Sequence, residues 1–516
     1  IYVTNIVALI GLAIAVDYSM LVVFRFREEL ARTPDAHRAL AVTMATAGRA
    51  TLFSGMTVAI GLALLVFMPL PFMRSMGVGG LLVPVVSILA SATLLPALLA
   101  MMGRGVNRWR IVPRRVLERR ADADVTGFWH RLASAIMRRP ILFFVAAAGL
   151  MLALALPATG LQLTGGDNRG VPLTTESTRG LKVLEDTIGP GALAPHQIVV
   201  DTHRAGGAYD PAIVAAQRRL VAQLRRDPGV QPATVAAPAT VPRDLARRAN
   251  LVDRDGRVLQ VRVAGRTDSG TQAAMDVVHR IRERYVPAAG FPSGADVLVS
   301  GAPAFGVDFI DRAYGAFPWL VLAVLVVSYL VLLRAFRSVV LPAKAVVMNL
   351  LSVGATYGVL VLAFQHGWGE SFGLQQSPQV DGWIPIFLFA MLFGLSMDYE
   401  VFLLSRMREE WDRRRDNEHA VAYGLEHTGR IITAAAIIMI ATFAGFTAGS
   451  FVGLQEFGLG LSAAILLDAT VVRAILVPAT MKLLGRWNWY LPERVRRALR
   501  LRSADRAAGA AEALAD

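Results

Sequence analysis

Nine blocks of nearly unbroken apolar residues divide the chain, at 3–24, 50–70, 76–101, 140–157, 315–333, 339–364, 384–404, 431–450 and 457–484. Blocks of about twenty residues, apolar on every face, match the hydrocarbon thickness of a bilayer and predict membrane-spanning helices. Between the fourth and fifth blocks the pattern changes. His196–Asp201 is a short β-rich run, and a helical stretch follows at Pro211–Arg226. Strands are expected near Val230–Val235, at Val258–Ala264 and at Asp296–Ser300, with an amphipathic helix over Thr271–Tyr285. Strand–helix–strand–strand–helix–strand is the ferredoxin-like order. The segment 232–257, rich in Pro, Ala and Arg, reads as a loop or small insertion. The fold class is therefore a polytopic α-helical membrane protein with an external α+β domain.

Composition agrees: 54% of the 516 residues are hydrophobic. The net charge of +14 could suggest a nucleic-acid partner, but its distribution argues otherwise. Arginines gather around 25–49, 104–139, 334–344, 406–430 and 482–506, and almost none lie in 365–383 or 450–456. This positive-inside pattern assigns the arginine-rich loops to the cytoplasm. The layout that follows is three helices (1–102), a cytoplasmic linker (103–139), one helix (140–157), an external domain (158–312), five helices (313–485) and a basic cytoplasmic tail (486–516). The linker charges suit anionic lipid headgroups. Trp487, Trp489 and Tyr490 are expected as an interfacial belt, with Arg494–Arg502 along the membrane and a disordered tail beyond Ser503. Cysteine is absent from the chain, which excludes thiol chemistry. None of the eight histidines falls convincingly in a span, which argues against a metal site. Nothing here points to an enzyme.

Two segments repeat. GLAIAVDYSMLVVFRFREEL carries Asp17-Tyr18, and FGLSMDYEVFLLSRMREEW carries Asp398-Tyr399. Each pair is followed at the same spacing by Arg-x-Arg-Glu-Glu (Arg25, Arg27, Glu28, Glu29; Arg406, Arg408, Glu409, Glu410), then by Gly48-Arg49 or Gly429-Arg430. Both helices run in the same direction, so the halves are parallel repeats about an axis along the membrane normal. Eight residues separate each Asp from the first arginine. That places it roughly 12 Å inside the hydrocarbon.

A carboxyl group at that depth costs several kcal/mol unless it is paired, hydrated or protonated. A tyrosine hydroxyl can donate to the carboxylate or accept from the neutral acid, and so serves both states. One such Asp could simply lock helices together. Two at matched positions favour proton handling through Asp17, Tyr18, Asp398 and Tyr399.

Other intramembrane polar groups are candidates. Arg473 is expected at a similar depth and could be the counter-charge of the aspartates. Asp468, five residues earlier, would lie about 140° around an α-helix. It should not share a face with Arg473, so each needs a partner on another helix. Glu400 points elsewhere, as a structural hydrogen-bonding group or a relay member. Phe402 and Leu21 read as core packing.

The chain resembles the MMPL family (mycobacterial membrane protein, large) of the resistance–nodulation–division superfamily. The residues that carry the resemblance are Gly11-Leu-x4-Asp17-Tyr18, Phe-Gly394-Leu-Ser-Met-Asp398-Tyr399-Glu400, His427-Thr-Gly429-Arg430 and Leu467-Asp468-Ala-Thr470. The resemblance covers essentially the whole chain, from what would be the fourth of twelve helices. It implies two ferredoxin-like porter domains, export of lipids or other hydrophobic molecules, and a proton relay in which each Asp faces the Tyr of the other half. Ser54 falls where the family has a serine close to that relay; the matching position in the second half is Ala435.

Read this way, Ile1 lies almost directly in a span, and three helices with a second external domain are expected upstream. The expected function is proton-motive-force-driven export across a bacterial plasma membrane, with protons as coupling ion and no other cofactor. The Ala- and Arg-rich composition fits an actinobacterium. Expected partners are a lipid or hydrophobic substrate and membrane lipids, with homo-oligomerisation left open and no nucleic acid. Two alternatives stay open: an accessory to protein secretion, and a lipid-sensing protein without turnover.

Overall fold

The computed structural model describes residues 2–33, 35–107, 127–165 and 175–498; within these, the side chains of 2–9, 50, 53, 107, 398, 497 and 498 lie outside the description. The first half comprises α1 (Tyr2–Arg32), α2 (Ala36–Thr43), α3 (Arg49–Ala63), α4 (Pro71–Ala92) and α5 (Leu94–Met102). Next come α6 (Phe128–Arg138) and α7 (Pro140–Ala155). The intervening domain holds β1 (Leu163–Thr164), α8 (Glu176–Ile188), β2 (His196–Asp201), α9 (Pro211–Leu224), α10 (Arg243–Arg248), β3 (Val258–Val263), α11 (Gln272–Arg280), α12 (Val286–Ala289) and β4 (Asp296–Ser300). The second half comprises α13 (Ala302–Phe336), α14 (Val340–Leu360), β5 (Val380–Asp381), α15 (Trp383–Arg414), α16 (Asn417–Ala444), α17 (Val452–Leu467), α18 (Val477–Leu484) and α19 (Glu493–Ala498).

Among the described residues, seven helical stretches are long and apolar enough to cross a membrane: Pro71–Val106, Pro140–Gly160, Ala302–Phe336, Val340–Gln365, Trp383–Arg414, Asn417–Ala448 and Val452–Trp489. The remaining two expected spans fall in α1 and in α3, where the apolar stretch Ser54–Phe67 is shorter.

The repeat extends into local structure. Asp35 caps α2 by accepting from the backbone of His37 and Arg38, and Asp416 caps α16 by accepting from Glu418 and His419. Each satisfies amides that the first helical turn leaves without partners. Arg25–Glu28 (2.7 Å) and Arg406–Glu409 (2.9 Å) are matching ion pairs one turn apart.

α15 is the centre of the bundle, with every side of its first four turns buried. A helix apolar all round belongs in such a place. It crosses α3 closely: a Cβ on Gly61 would lie 3.2 Å from the Ala390 carbonyl, and one on Gly394 would lie 3.0 Å from Cα of Val58. The motif glycine Gly394 therefore lets a helix of one repeat approach a helix of the other, as small residues do between membrane helices.

The domain sheet has three antiparallel strands in the order β3-β2-β4. The strand expected near Val230–Val235 makes only isolated bridges, Val230 to Gly265 and Ala236 to Arg262. Pro232 opens a 3₁₀ turn there, and a residue without an N–H cannot continue a ladder. The 232–257 segment contains two 3₁₀ turns and α10, as a small insertion would. β1 pairs in parallel with β5, an unanticipated tie between the domain entrance and the loop before α15.

Three further differences have simple causes. The domain expected to end at 312 gives way at Ala302 to one uninterrupted helix, because Pro303 sits in a first turn where proline is tolerated. Lys344, at the point where the 334–344 cluster overlaps the span read as 339–364, is buried in α14. Trp489, expected in the interfacial belt, turns inward to stack on Trp411 at 5.3 Å and donate to Asn417 Oδ1, whereas Trp487 and Tyr490 stay exposed. The centre of the linker (108–126) and the chain from 499 onward lie outside the described residues.

Candidate functional site

α1 and α15 bring the two halves together at one hydrogen bond, in which the Tyr399 hydroxyl donates to Asp17 Oδ1. Asp17, Tyr18 and Tyr399 are all buried. Asp398, the partner expected for Tyr18 in the reciprocal pair, has its side chain outside the described residues. The Arg473 guanidinium lies over the Tyr399 ring, 4.9 Å from its centroid. A guanidinium on an aromatic face away from water is an attractive contact of about 2 kcal/mol.

Arg473 and Asp468 were expected on different faces. They are paired, with Nη2 at 2.5 Å from Oδ2. From Asp468 to Leu476 the chain is a π-helix, whose hydrogen bonds run from i to i+5. Residues five apart then stack along one face, so the 140° separation of an α-helix does not apply. Partners on other helices are present too. Arg473 donates to the Ser396 carbonyl at 2.6 Å, and the Ser396 hydroxyl lies 3.0 Å from Asp468 Oδ2 and 2.9 Å from Asn349 Oδ1. A void of about 20 Å³ lined by Asn349, Ser396, Tyr399, Asp468 and Arg473 has room for one water.

Glu400 is also buried, and it interacts electrostatically with Lys344 and Arg473. Lys344, Asn349 and Ser396 were not singled out from the sequence. A lone lysine within an apolar run was the available signal for the first, and the place of Ser396 inside the Phe-Gly394-Leu-Ser-Met-Asp398 motif was the signal for the third; a single Asn carries none.

Ser54 lines a cavity of about 330 Å³ together with Asp17, Tyr18 and Tyr399. Leu21 and Phe402 line it as well, and so do more than pack a core. The cavity continues to Arg25 and Glu28 on α1 and to Arg406 and Glu409 on α15. It joins the buried Asp17–Tyr399 contact to the matched ion pairs of the repeat.

The family model described as the MMPL family matches residues 1–143 and 171–510. The chain belongs to this family. With its apolar helices, the MMPL assignment makes it an integral membrane protein. Among curated MMPL relatives, a protein of Mycolicibacterium smegmatis named mycolic acid-containing lipids exporter MmpL11 is 37% identical over 498 residues, covering 95% of this chain and 50% of that protein. A Mycobacterium tuberculosis protein named heme uptake protein MmpL11 is 38% identical, covering 95% and 49%. The trehalose monomycolate exporter MmpL3 of Mycobacterium tuberculosis is 34% identical, covering 95% and 53%. The chain thus spans about half the length of these MMPL relatives.

Proposed function

We propose that this chain forms the proton-coupled part of an exporter that moves a lipid or other hydrophobic molecule across a bacterial plasma membrane. The observation that carries the reading is the hydrogen bond from Tyr399 to Asp17, buried between the two repeats and placed beside Arg473. Protonation of Asp17 removes a full charge from that contact. The tyrosine then accepts from the acid instead of donating to the carboxylate. Arg473 loses an anion close to its aromatic partner, and the packing of α1 against α15 differs between the two states. Asp468 holds Arg473 in place, and Ser396 fixes both. The cavity lined by Ser54 is the proton route between Asp17 and the Arg-Glu pairs. Asp398 with Tyr18 is the second pair of the same relay.

The domain between α7 and α13 is a ferredoxin-like porter domain on the outer side, reduced at one edge strand. α7 and α13, which flank it, transmit bundle motion to it. Lipid substrates are supported by the relatives named as exporters of mycolic acid-containing lipids and of trehalose monomycolate. A second reading, in which the same bundle drives uptake, is favoured by the relative named as a heme uptake protein.

The test is a profile of envelope and secreted lipids in the native host carrying full-length wild type, Asp17→Asn or Asp398→Asn at matched expression. One compound class retained inside and missing outside in both variants supports export and identifies the substrate. Variants that match wild type refute proton coupling through these residues. Loss of accumulation from the medium would select uptake.

A further inference from the structure

The turn that follows α14 keeps its two largest side chains outside the protein. Trp368 is 67% exposed and Phe372 is 85% exposed, whereas Leu374 close by is buried. The backbone there is firmly held. Trp368 and Gly369 donate to the Leu362 and Ala363 carbonyls at 3.2 and 3.0 Å, and Phe372 and Leu374 both donate to the Gly369 carbonyl, at 2.9 and 3.1 Å. Gly367 and Gly373 bracket the turn with φ of +73° and +81°, a conformation that glycine adopts without steric cost. Gly369 packs beneath it, since a Cβ there would lie 2.7 Å from Leu374 Cδ1.

Both sides of the turn are tied to helices long and apolar enough to cross a membrane. Gln365 Nε2 donates to the Gly160 carbonyl at 3.3 Å, and its Oε1 accepts from the Gln162 N–H at 3.2 Å, where the chain leaves the Pro140–Gly160 span. Leu152 and Leu156 on that span are exposed, as residues facing lipid are. On the other side the Gln375 N–H donates to Gln455 Oε1 at 3.0 Å, in the first turn of α17. The turn is therefore continuous with a lipid-facing surface and lies on the domain side of the bundle. Phe67, after α3, and Trp319, in the domain-side half of α13, are exposed at this end too. No Lys or Arg occurs between Gln365 and Trp383.

We propose that Trp368 and Phe372 insert into the interfacial layer of the domain-side leaflet, with lipid as their partner. Removing two large rings from water is favourable. Tryptophan settles at the headgroup level, where its ring meets apolar surface and its indole N–H stays wet. Amides of the turn already donate within the protein, so entry into a poorly hydrated layer strands few of them. A turn held this firmly also loses little conformational freedom on insertion. The same loop supplies Gln375, Gln376 and Ser377 to the wall of a cavity of about 650 Å³ at the junction with the domain. Anchoring the turn holds that wall at the leaflet surface. The proposal rests on the export reading only for the use of this cavity by a substrate, and insertion itself requires no proton gradient.

The experiment attaches a nitroxide to Ser371→Cys, between the two rings, in the full-length protein in nanodiscs, with any native cysteine replaced. Electron paramagnetic resonance then reads collision with oxygen, which concentrates in lipid, against collision with a nickel chelate, which stays in water. Leu152→Cys on the span gives the lipid reference, and Ala205→Cys, exposed in the domain, gives the water reference. The oxygen-to-nickel ratio at 371 is expected severalfold above that at 205, and is expected to fall to the 205 value when Trp368→Ser and Phe372→Ser are combined. An unchanged ratio at 152 in the same variant shows the bundle intact. A native turn with the ratio of 205 overturns the proposal, because the turn is then in water. Low access of both reagents overturns it too, since protein then covers the rings. So does a ratio that stays high in the double variant, because the helices alone then set the depth. Because no gradient is applied, a negative result leaves the relay reading standing, and loss of that reading leaves this one standing.

Discussion

Arg473 and Asp468 are five residues apart and paired on one face, because the helix between them is wound as a π-helix. The arrangement holds the guanidinium over Tyr399, whose hydroxyl reaches Asp17 in the other repeat. An α-helix through the same sequence would separate them.

Breaking this buried pair from one side leaves the other charge unmatched. Asp468→Asn or Arg473→Gln alone should destabilise the protein by about 3–5 kcal/mol, and the double variant by less than the sum. Thermal unfolding of the four proteins in detergent gives the cycle. Additive losses would mean that the pair does not act as a unit.

Removing the tyrosine hydroxyl deletes the buried hydrogen bond between α1 and α15 and leaves the α3–α15 crossing in place. Tyr399→Phe and Asp17→Asn should each slow proton flux into full-length proteoliposomes at least tenfold, and the double variant should be no slower than either single one. A pyranine-loaded vesicle assay reads this directly. Flux in Tyr399→Phe close to wild type would remove the tyrosine from the relay.

Gly429, from the second copy of the Gly-Arg motif, is where α6 docks: a Cβ there would lie 2.5 Å from the Trp129 ring. Gly429→Ala should therefore destabilise by on the order of 1–3 kcal/mol, as overpacking does. Trp129→Ala in the same chain should restore part of the loss. Melting temperatures of the single and double variants decide this, and a double variant worse than Gly429→Ala would exclude steric conflict as the cause.

In the domain, His196 sits buried at the start of β2. Burial pushes its imidazole down to about 4, against the pull of Asp227 and with a small further push from Arg280. The unfolded chain binds this proton near pH 6.5 and the folded domain only near pH 4, so stability is full above pH 6.5 and falls as pH drops through that window. The loss amounts to roughly 3 kcal/mol. Hydrogen exchange of β2 and β3, corrected for intrinsic rates, should accelerate between these pH values in wild type and remain flat in His196→Phe. An equal acceleration in both would assign the effect to other groups.

Much of the architecture was legible because a bilayer leaves few choices. Apolar blocks of about twenty residues must be helices, and arginines at alternate loops set their direction. The spans at 76–101 and 339–364 fall where Pro71–Val106 and Val340–Gln365 lie for that reason. In the domain, His196–Asp201 and Asp296–Ser300 are strands as read, because a β-rich run bounded by turns admits little else. Val230–Val235 is not, because Pro232 removes a ladder donor that an apolar count does not register.

The membrane class, the two repeats and the Asp-Tyr pairs could be read from the residues alone, since each is a matter of local composition and fixed spacing along one chain. Tertiary structure decided which of those groups touch. Tyr399 meets Asp17 where α1 and α15 come together across the repeats, and Arg473 meets Asp468 because the chain there is wound as a π-helix, which a helical wheel assumes away. Contacts between helices depend on rotation about each axis and on one-residue changes in winding. Those are fixed by the neighbours a helix packs against, and the order of its own residues does not record them.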